Sequence, residues 1–171
     1  MAEYRVAHHS VLTGRSAIAS NDIVLAPLPE GHVFQLLSIA QRSQVPLPAA
    51  DSCLYGAGPE QWYVVGDAPL TVQAQATYFA ALPKGAYVID QSHGRVRIRI
   101  EGRRVEQVLA KGTGVDLTLS QFPLGSATTT LFGHIAAHLI RKDTNLFELM
   151  ILRGFAESLW DELVRMSVES T

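Results

Sequence analysis

Residues 95–101 constrain the fold more than any other stretch of this 171-residue chain. Their sequence, RVRIRIE, places Val96, Ile98 and Ile100 in alternation with charged residues. Because successive side chains of a strand point to opposite faces of a sheet, this period of two predicts a strand with one apolar face and one arginine-bearing face. We therefore expect a sheet that is buried against a core on one side.

Strands and helices of ordinary length surround this segment. Apolar or alternating runs bounded by Gly, Pro and Asn predict strands, and apolar residues at helical spacing predict helices. Strands are predicted at 32–40, 53–55, 62–65, 86–91 and 95–101, with three more between 127 and 153; helices are predicted at 67–82, 103–111 and from 155 onward. Helices follow single strands or pairs of strands without strict alternation, which predicts an α+β domain with a mixed, largely antiparallel sheet and helices on one side.

Three local features refine the predicted helices. Asp67 is placed to cap the first helix, and Gly112 is placed just past the end of the second. In the last helix, Asp161 and Arg165 have the order that favours an i,i+4 ion pair. The chain is predicted to divide into an arm at 1–22, a single domain at 23–168 and a tail at 169–171.

The composition points to a chain that is covered by a partner. Hydrophobic residues make up 47% and charged residues only 18%, so much of the surface is expected to be apolar. The net charge of -2 argues against nucleic acid as a ligand. With one cysteine, no apolar signal sequence and no apolar run long enough for a bilayer, the chain is expected to be cytoplasmic, without a membrane association.

Asp90, Ser92 and His93 bring an acid, a hydroxyl and an imidazole within four residues. Such groups serve in catalytic triads and metal sites, but a triad is assembled across a fold and is rarely crowded into one turn. We interpret them as turn-shaping groups at a corner between strands. His134 and His138 have helical zinc-site spacing, but their surroundings are strand-like and the first is not followed by Glu. We therefore predict no catalytic, cofactor-binding or metal-binding residue.

Five arginines form the candidate site, which we predict to be a subunit interface: Arg95, Arg97, Arg99, Arg103 and Arg104. The last two fall at the start of a helix, where a cation opposes the helix dipole. An acidic surface of another chain would compensate them, and arginine is the cation favoured at interfaces. The alternative is a solvated sheet face with Glu101 and Glu106 as counter-charges.

Several segments in register resemble the gamma subunit of heterotetrameric sarcosine oxidase. They are GPEQWYVV at 58–65, VIDQSHGRVRIRIEGRRVEQVLAKG at 88–112, DL at 116–117, FPLGSATTT at 122–130 and RGFAESLWDEL at 153–163. The resemblance implies a fold similar to the folate-binding domain of the glycine-cleavage T-protein, with ferredoxin-like βαβ elements. It also implies a non-catalytic, accessory role beside alpha, beta and delta subunits.

Complexes of this family oxidatively demethylate sarcosine to glycine, release hydrogen peroxide and pass the one-carbon unit to tetrahydrofolate. The resemblance implies that FAD, FMN, NAD, tetrahydrofolate and zinc are bound by other subunits and that this chain binds none of them. The aminomethyltransferase relatives carry an acidic pair in a strand that resembles GHIAAHLI, where Ala137 and His138 stand here. The alternative function is a free-standing folate-binding protein or one-carbon transferase whose arginines grip the folate glutamate.

Overall fold

The computed structural model describes residues 9–20 and 22–168. These residues form ten strands and three α-helices. The strands are β1 (Ile18–Ser20), β2 (Ile23–Pro27), β3 (His32–Leu37), β4 (Cys53–Gly58), β5 (Gln61–Gly66), β6 (Tyr87–Asp90), β7 (Arg95–Gly102), β8 (Ala127–Phe132), β9 (Ile135–Asp143) and β10 (Leu146–Leu152). The helices are α1 (Val72–Ala80), α2 (Val105–Leu109) and α3 (Ala156–Val168).

The strands divide between two sheets. The larger has the order β1-β2-β7-β10-β9-β8 and the smaller the order β4-β5-β3-β6. Every ladder between the described strands is antiparallel. The α+β class is confirmed, and the single expected sheet is replaced by two because the corner between β6 and β7 carries the chain from one sheet to the other.

The apolar face of β7 is buried as its alternation predicts. Val96, Ile98 and Ile100 are at most 2% exposed and belong to a core that includes residues of α2 and α3. The last helix contributes Leu159 and Trp160 to the same core, and both are buried. Fully burying a side chain of this size stabilises the fold by roughly 1.5–3 kcal/mol, so these helices hold their face of the larger sheet firmly.

The smaller sheet contains the expected split βαβ element. Strands β5 and β6 flank β3 and both run antiparallel to it, so they are parallel to each other with α1 as their connection. The outer face of this sheet packs on that helix, and Phe34 stacks on Tyr78 with 5.7 Å between ring centroids. The ferredoxin-like element that the resemblance implied is therefore present.

The two sheets face each other through a third apolar cluster. Val33, Tyr63 and Val65 of the smaller sheet pack with Ile140 and Met150 of the larger one. The order of layers is thus α2 and α3, larger sheet, smaller sheet, α1. Because Val96, Ile98 and Ile100 face the helices, the arginines that alternate with them face the smaller sheet.

Two short strands lie in or next to the predicted arm. Strand β1 pairs with β2, which in turn pairs with β7, and Leu12 is buried in the helix-side core. The sequence pattern does not predict these strands, because they are short and the second ends at Pro27. Residues 1–8 and 21 of the predicted arm and the whole predicted tail lie outside the described residues, and the division of the chain at residue 22 stays a prediction.

Two predicted helix features are wrong. Thr71, not Asp67, caps α1, and its hydroxyl accepts a hydrogen bond from the Ala74 N–H at 3.2 Å. In α3, Asp161 forms an ion pair with Arg15 at 3.0 Å, whereas Arg165 pairs with Glu162 one turn before it. In both cases a partner elsewhere in the fold engages the acid that was assigned a local role.

Gly112 has a different role from the one predicted. Helix α2 ends at Leu109 with Ala110 as its C-cap, and Gly112 does not have the positive φ of a glycine that closes a helix. A Cβ atom there would lie 2.8 Å from Cδ1 of Phe132 and 3.1 Å from Sδ of Met166. The glycine therefore lets the loop pack closely on the core.

We expect Gly112→Ala to destabilise the protein by about 1–3 kcal/mol, because the added methyl overpacks buried side chains. Gly114→Ala is the matched control, since its Cβ atom would meet no atom within 4 Å. Urea unfolding of both variants measures the difference. Equal midpoints for the two variants would contradict this account of Gly112.

Candidate functional site

Arg97 lies between the two sheets and is only 5% exposed. Its guanidinium donates to the Asp67 carboxylate at 2.7 Å and to the Pro29 carbonyl at 3.1 Å. The Glu148 carboxylate lies 3.9 Å away, at ion-pair distance but beyond hydrogen-bond reach. Arg97 is therefore an internal residue, and the prediction that it faces solvent or a partner is wrong at this position because the smaller sheet covers it.

A lysine and a tyrosine extend this polar cluster. Lys142 lies 3.8 Å from the second Glu148 oxygen and donates to the Tyr55 hydroxyl. Burial raises the pKa of Tyr55 well above its usual range, and a hydrogen bond with Cys53 adds to the rise. The tyrosine is therefore a neutral hydrogen-bond acceptor here. The sequence offered one unused signal for this cluster: Glu148 is the single charge within the apolar strand β10.

The other four arginines occupy different surroundings. Arg99 pairs with Glu101 at 2.5 Å, and Arg103 is exposed. Arg104 takes the position before α2, where its Nε donates to the Gln107 side chain at 3.3 Å. These side chains do not form one continuous charged face, because Arg97 is withdrawn from the middle of the row.

Arg95 is half-buried beside an aromatic ring. Its guanidinium carbon lies 5.0 Å from the centroid of Tyr63, and its Nε donates to the Gln91 side chain. A cation over an aromatic face at this distance is stabilised by roughly 0.5–1 kcal/mol or more. Contacts within the molecule therefore fix the orientation of Arg95, while part of its side chain stays in solvent.

Asp90 and Ser92 shape the corner between β6 and β7. Asp90 accepts the Ser92 N–H at 2.9 Å and the Gln75 amide at 2.8 Å, and Ser92 Oγ accepts the Val33 N–H at 3.0 Å. Partial burial alone would raise the pKa of Asp90, but the hydrogen bonds from Ser92 and Gln75 outweigh it and lower that pKa. These contacts agree with a turn-shaping role. With His93 and His32, the corner lines a cleft of about 260 Å³.

His138 is buried between the sheets at 1% exposure. Its Nδ1 lies 3.1 Å from Thr129 Oγ1. Its ring packs edge-to-face with that of Tyr63, with 4.9 Å between the ring centroids. No hydrogen-bond partner for Nε2 is found among the described residues. Burial, together with the nearby charge of Arg95, lowers the pKa of His138 to about 4. His138 is therefore neutral at pH 7.

The geometry offers no shared role for the two histidines of the HIAAH segment. His134 is exposed in the turn before β9, whereas His138 is enclosed within the sandwich. Within residues 9–20 and 22–168, no group of three His, Cys, Asp or Glu side chains lies close enough to hold a metal ion. The same residues include no helix that is long and apolar enough to cross a bilayer.

The sequence profile of the sarcosine oxidase, gamma subunit family matches residues 32–169. The chain belongs to this family. Membership confirms the predicted resemblance and the predicted accessory role in a sarcosine oxidase complex. A search of curated protein sequences found no match.

Solved structures share the fold of this gamma subunit family member. A chain of the heterotetrameric sarcosine oxidase from Corynebacterium sp. U-96 is 19% identical, with 94% of each chain covered and a TM-score of 0.80. The glycine cleavage system aminomethyltransferase T from Bartonella henselae is 15% identical, with 84% of this chain and 45% of that chain covered and a TM-score of 0.57. The expected likeness to the aminomethyltransferase fold is confirmed.

Strand β9 of this gamma subunit family member contains Ala137 and His138, which were expected to stand where the aminomethyltransferases have an acidic pair. Ala137 is 1% exposed and packs in the helix-side core, whereas His138 points between the sheets. An alanine cannot exchange a proton, and a histidine with a pKa of about 4 is a weak base. Neither residue therefore supplies an acidic group or a strong base at this position.

We expect Arg97→Gln to destabilise the protein by about 2–4 kcal/mol, because Glu148 would keep only Lys142 as a counter-charge and the Pro29 carbonyl would lose its guanidinium donor. The figure lies below that of a fully enclosed pair because Asp67 is 68% exposed. Arg103→Gln, at an exposed site, should change stability by no more than about 0.5 kcal/mol. Chemical denaturation measures the free energy of unfolding of both variants. Equal values would show that the cluster around Arg97 does not stabilise the packing of the two sheets.

His138 should make the fold sensitive to acid. The pKa of about 4 in the folded protein lies below the ordinary value of 6.5, so the unfolded chain binds the proton first as the pH falls. The contribution of His138 to the free energy of unfolding is therefore present in full near pH 7. The free energy of unfolding falls by about 2–3 kcal/mol as the pH drops toward 4. His138→Gln should flatten this part of a stability-against-pH curve, and the exposed His134→Gln should not. An unchanged slope in His138→Gln would exclude this histidine as the cause.

Proposed function

We propose that this chain is a non-catalytic subunit of a heterotetrameric sarcosine oxidase-like complex, to which it contributes a shaped docking surface. The observation that carries the proposal is the family match over residues 32–169. A fold shared over 94% of both chains with a chain of a heterotetrameric sarcosine oxidase supports it. Its partners would be subunits of the alpha, beta and delta types, in the cytoplasm.

The complex would demethylate sarcosine to glycine, release hydrogen peroxide and transfer the one-carbon unit to tetrahydrofolate. FAD, FMN, NAD, tetrahydrofolate and zinc would be bound by the other subunits. What supports a non-reacting role for this chain is the use of its polar groups. Asp90 and Ser92 hold a corner, Arg97 is engaged by Asp67, and His138 is enclosed between the sheets.

The interface prediction is revised by the burial of Arg97. Arg95, Arg99, Arg103 and Arg104 remain candidates for contact with a neighbour, because each of them reaches solvent. Arg103 and Arg104 precede α2, where two cations oppose the helix dipole by roughly 0.3–1 kcal/mol each when exposed. An acidic patch on a neighbouring subunit would relieve this repulsion.

We expect the chain to co-elute with alpha, beta and delta-type subunits when all four are co-expressed and separated by size exclusion. The double variant Arg103→Glu, Arg104→Glu should assemble about tenfold more weakly, because it would repel an acidic neighbour. Arg42→Glu, an exposed charge reversal elsewhere, is the control. Elution of the wild-type chain on its own, together with tetrahydrofolate binding at micromolar strength, would replace this proposal by the free-standing folate-binding protein.

A further inference from the structure

The inner face of the larger sheet is uncovered at one end. Its outermost row contains Leu131 opposite Ala136, and Leu152 opposite Arg95. Leu131 is 55% exposed and Leu152 is 47% exposed. One row further in, His138 and Met150 are fully buried against the smaller sheet. Apolar side chains that face the interior of the sandwich thus lie in solvent at this end.

The smaller sheet shows the matching feature. On its inner face, Tyr87 is 66% exposed and Ile89 is 45% exposed. Ile89 is the cross-strand partner of Gln35, which accepts a hydrogen bond from Gln91, and Gln91 in turn accepts one from Arg95. Because Leu152 also pairs with Arg95, the exposed residues of the two sheets lie at the same end of the sandwich.

Arg95 gives this end an uncompensated positive charge. Arg97, Arg99 and Arg153 each have a carboxylate partner in the fold. Arg95 has only the Gln91 side chain and the Tyr63 ring, and no carboxylate of the described chain lies within ion-pair distance of it. A half-buried guanidinium among apolar side chains is stabilised most by a carboxylate, with which it forms paired hydrogen bonds.

Strand β6 also leaves one edge free. It is the outermost strand of the smaller sheet, and in the described structure only β3 pairs with it. Tyr87, Ile89 and Asp90 are exposed along it. A free edge beside exposed apolar side chains is the surface to which extended segments of other chains add.

We propose that this open end, defined by Tyr87, Ile89, Arg95, Leu131 and Leu152, docks an extended apolar segment of a neighbouring subunit whose carboxylate pairs with Arg95. The inference rests on the proposed function and names the surface and the chemistry of the partner. The unpaired charge of Arg95 calls for an acid in the partner segment, and the exposed side chains on both sheets call for apolar residues. The free edge of β6 calls for an extended conformation. The open end is separated from Arg103 and Arg104 by the length of β7.

The test uses three single variants in the co-expressed complex: Ile89→Lys, Leu152→Lys and Arg95→Glu. Each should weaken assembly about tenfold or more, because a charge would enter an apolar contact or the carboxylate would meet a like charge. Arg95→Lys keeps the charge and should assemble better than Arg95→Glu. The matched controls are Val72→Lys, at an apolar side chain that is 85% exposed on α1, and Arg42→Glu, and both should assemble like the wild type.

Thermal unfolding of each isolated variant separates loss of docking from loss of folding, and Ile89 and Leu152 are exposed enough for their variants to fold. Assembly of all three variants at wild-type strength overturns this inference while the proposed function stands. Failure of the wild-type chain to assemble overturns both. A wild-type chain that dimerises alone, with dimerisation abolished by Ile89→Lys and assembly unaffected, identifies a second copy as the occupant and also overturns it.

Discussion

The guanidinium of Arg97 sets how the two sheets meet, because a buried cation must find its partners within the sandwich. They come from separate parts of the chain: Asp67 follows β5, Pro29 follows β2 and Glu148 lies on β10. Removing a cation from water costs several kcal/mol unless hydrogen bonds and opposite charges replace the solvent. An arrangement that displaced any of these segments would leave the charge unsatisfied, so the cluster favours one relative position of the sheets.

The sequence predicts one face of β7 well and the other poorly. Val96, Ile98 and Ile100 are buried as their alternation requires, since a strand's period of two is a local property. What covers the arginine face depends on a second sheet built from residues 32–90, and no pattern within residues 95–101 contains that information. The sequence signal that indicates such a covering sheet is a charge within an otherwise apolar strand, such as Glu148.

Local rules failed wherever a distant partner was stronger. Asp67 has the position of a helix cap, but the guanidinium of Arg97 engages it and Thr71 caps α1 instead. The pair expected within α3 is replaced in the same way, because Arg15 reaches Asp161. Capping is worth about 0.5–2 kcal/mol and an i,i+4 pair about 0.2–0.5 kcal/mol, so a buried guanidinium can draw an acid from a cap and a second surface arginine can replace the pair. The corner at Asp90 and Ser92 was predictable because the hydrogen bond that shapes its turn, from the Ser92 N–H to Asp90, is local.

Two neighbouring arginines on the inner face of β7 explain why a chain of this composition belongs in an assembly. At Arg97 the charge is compensated internally and the sheets close over it. At Arg95, two residues earlier on the same face, the charge has no acidic partner among the described residues, and the flanking Leu152 and Ile89 remain in solvent. Closing this end internally would need an acid and more apolar surface from the chain itself. A neighbouring subunit that supplies both completes the sandwich, so the fold and the docking surface follow from the same alternation of arginine and apolar residues.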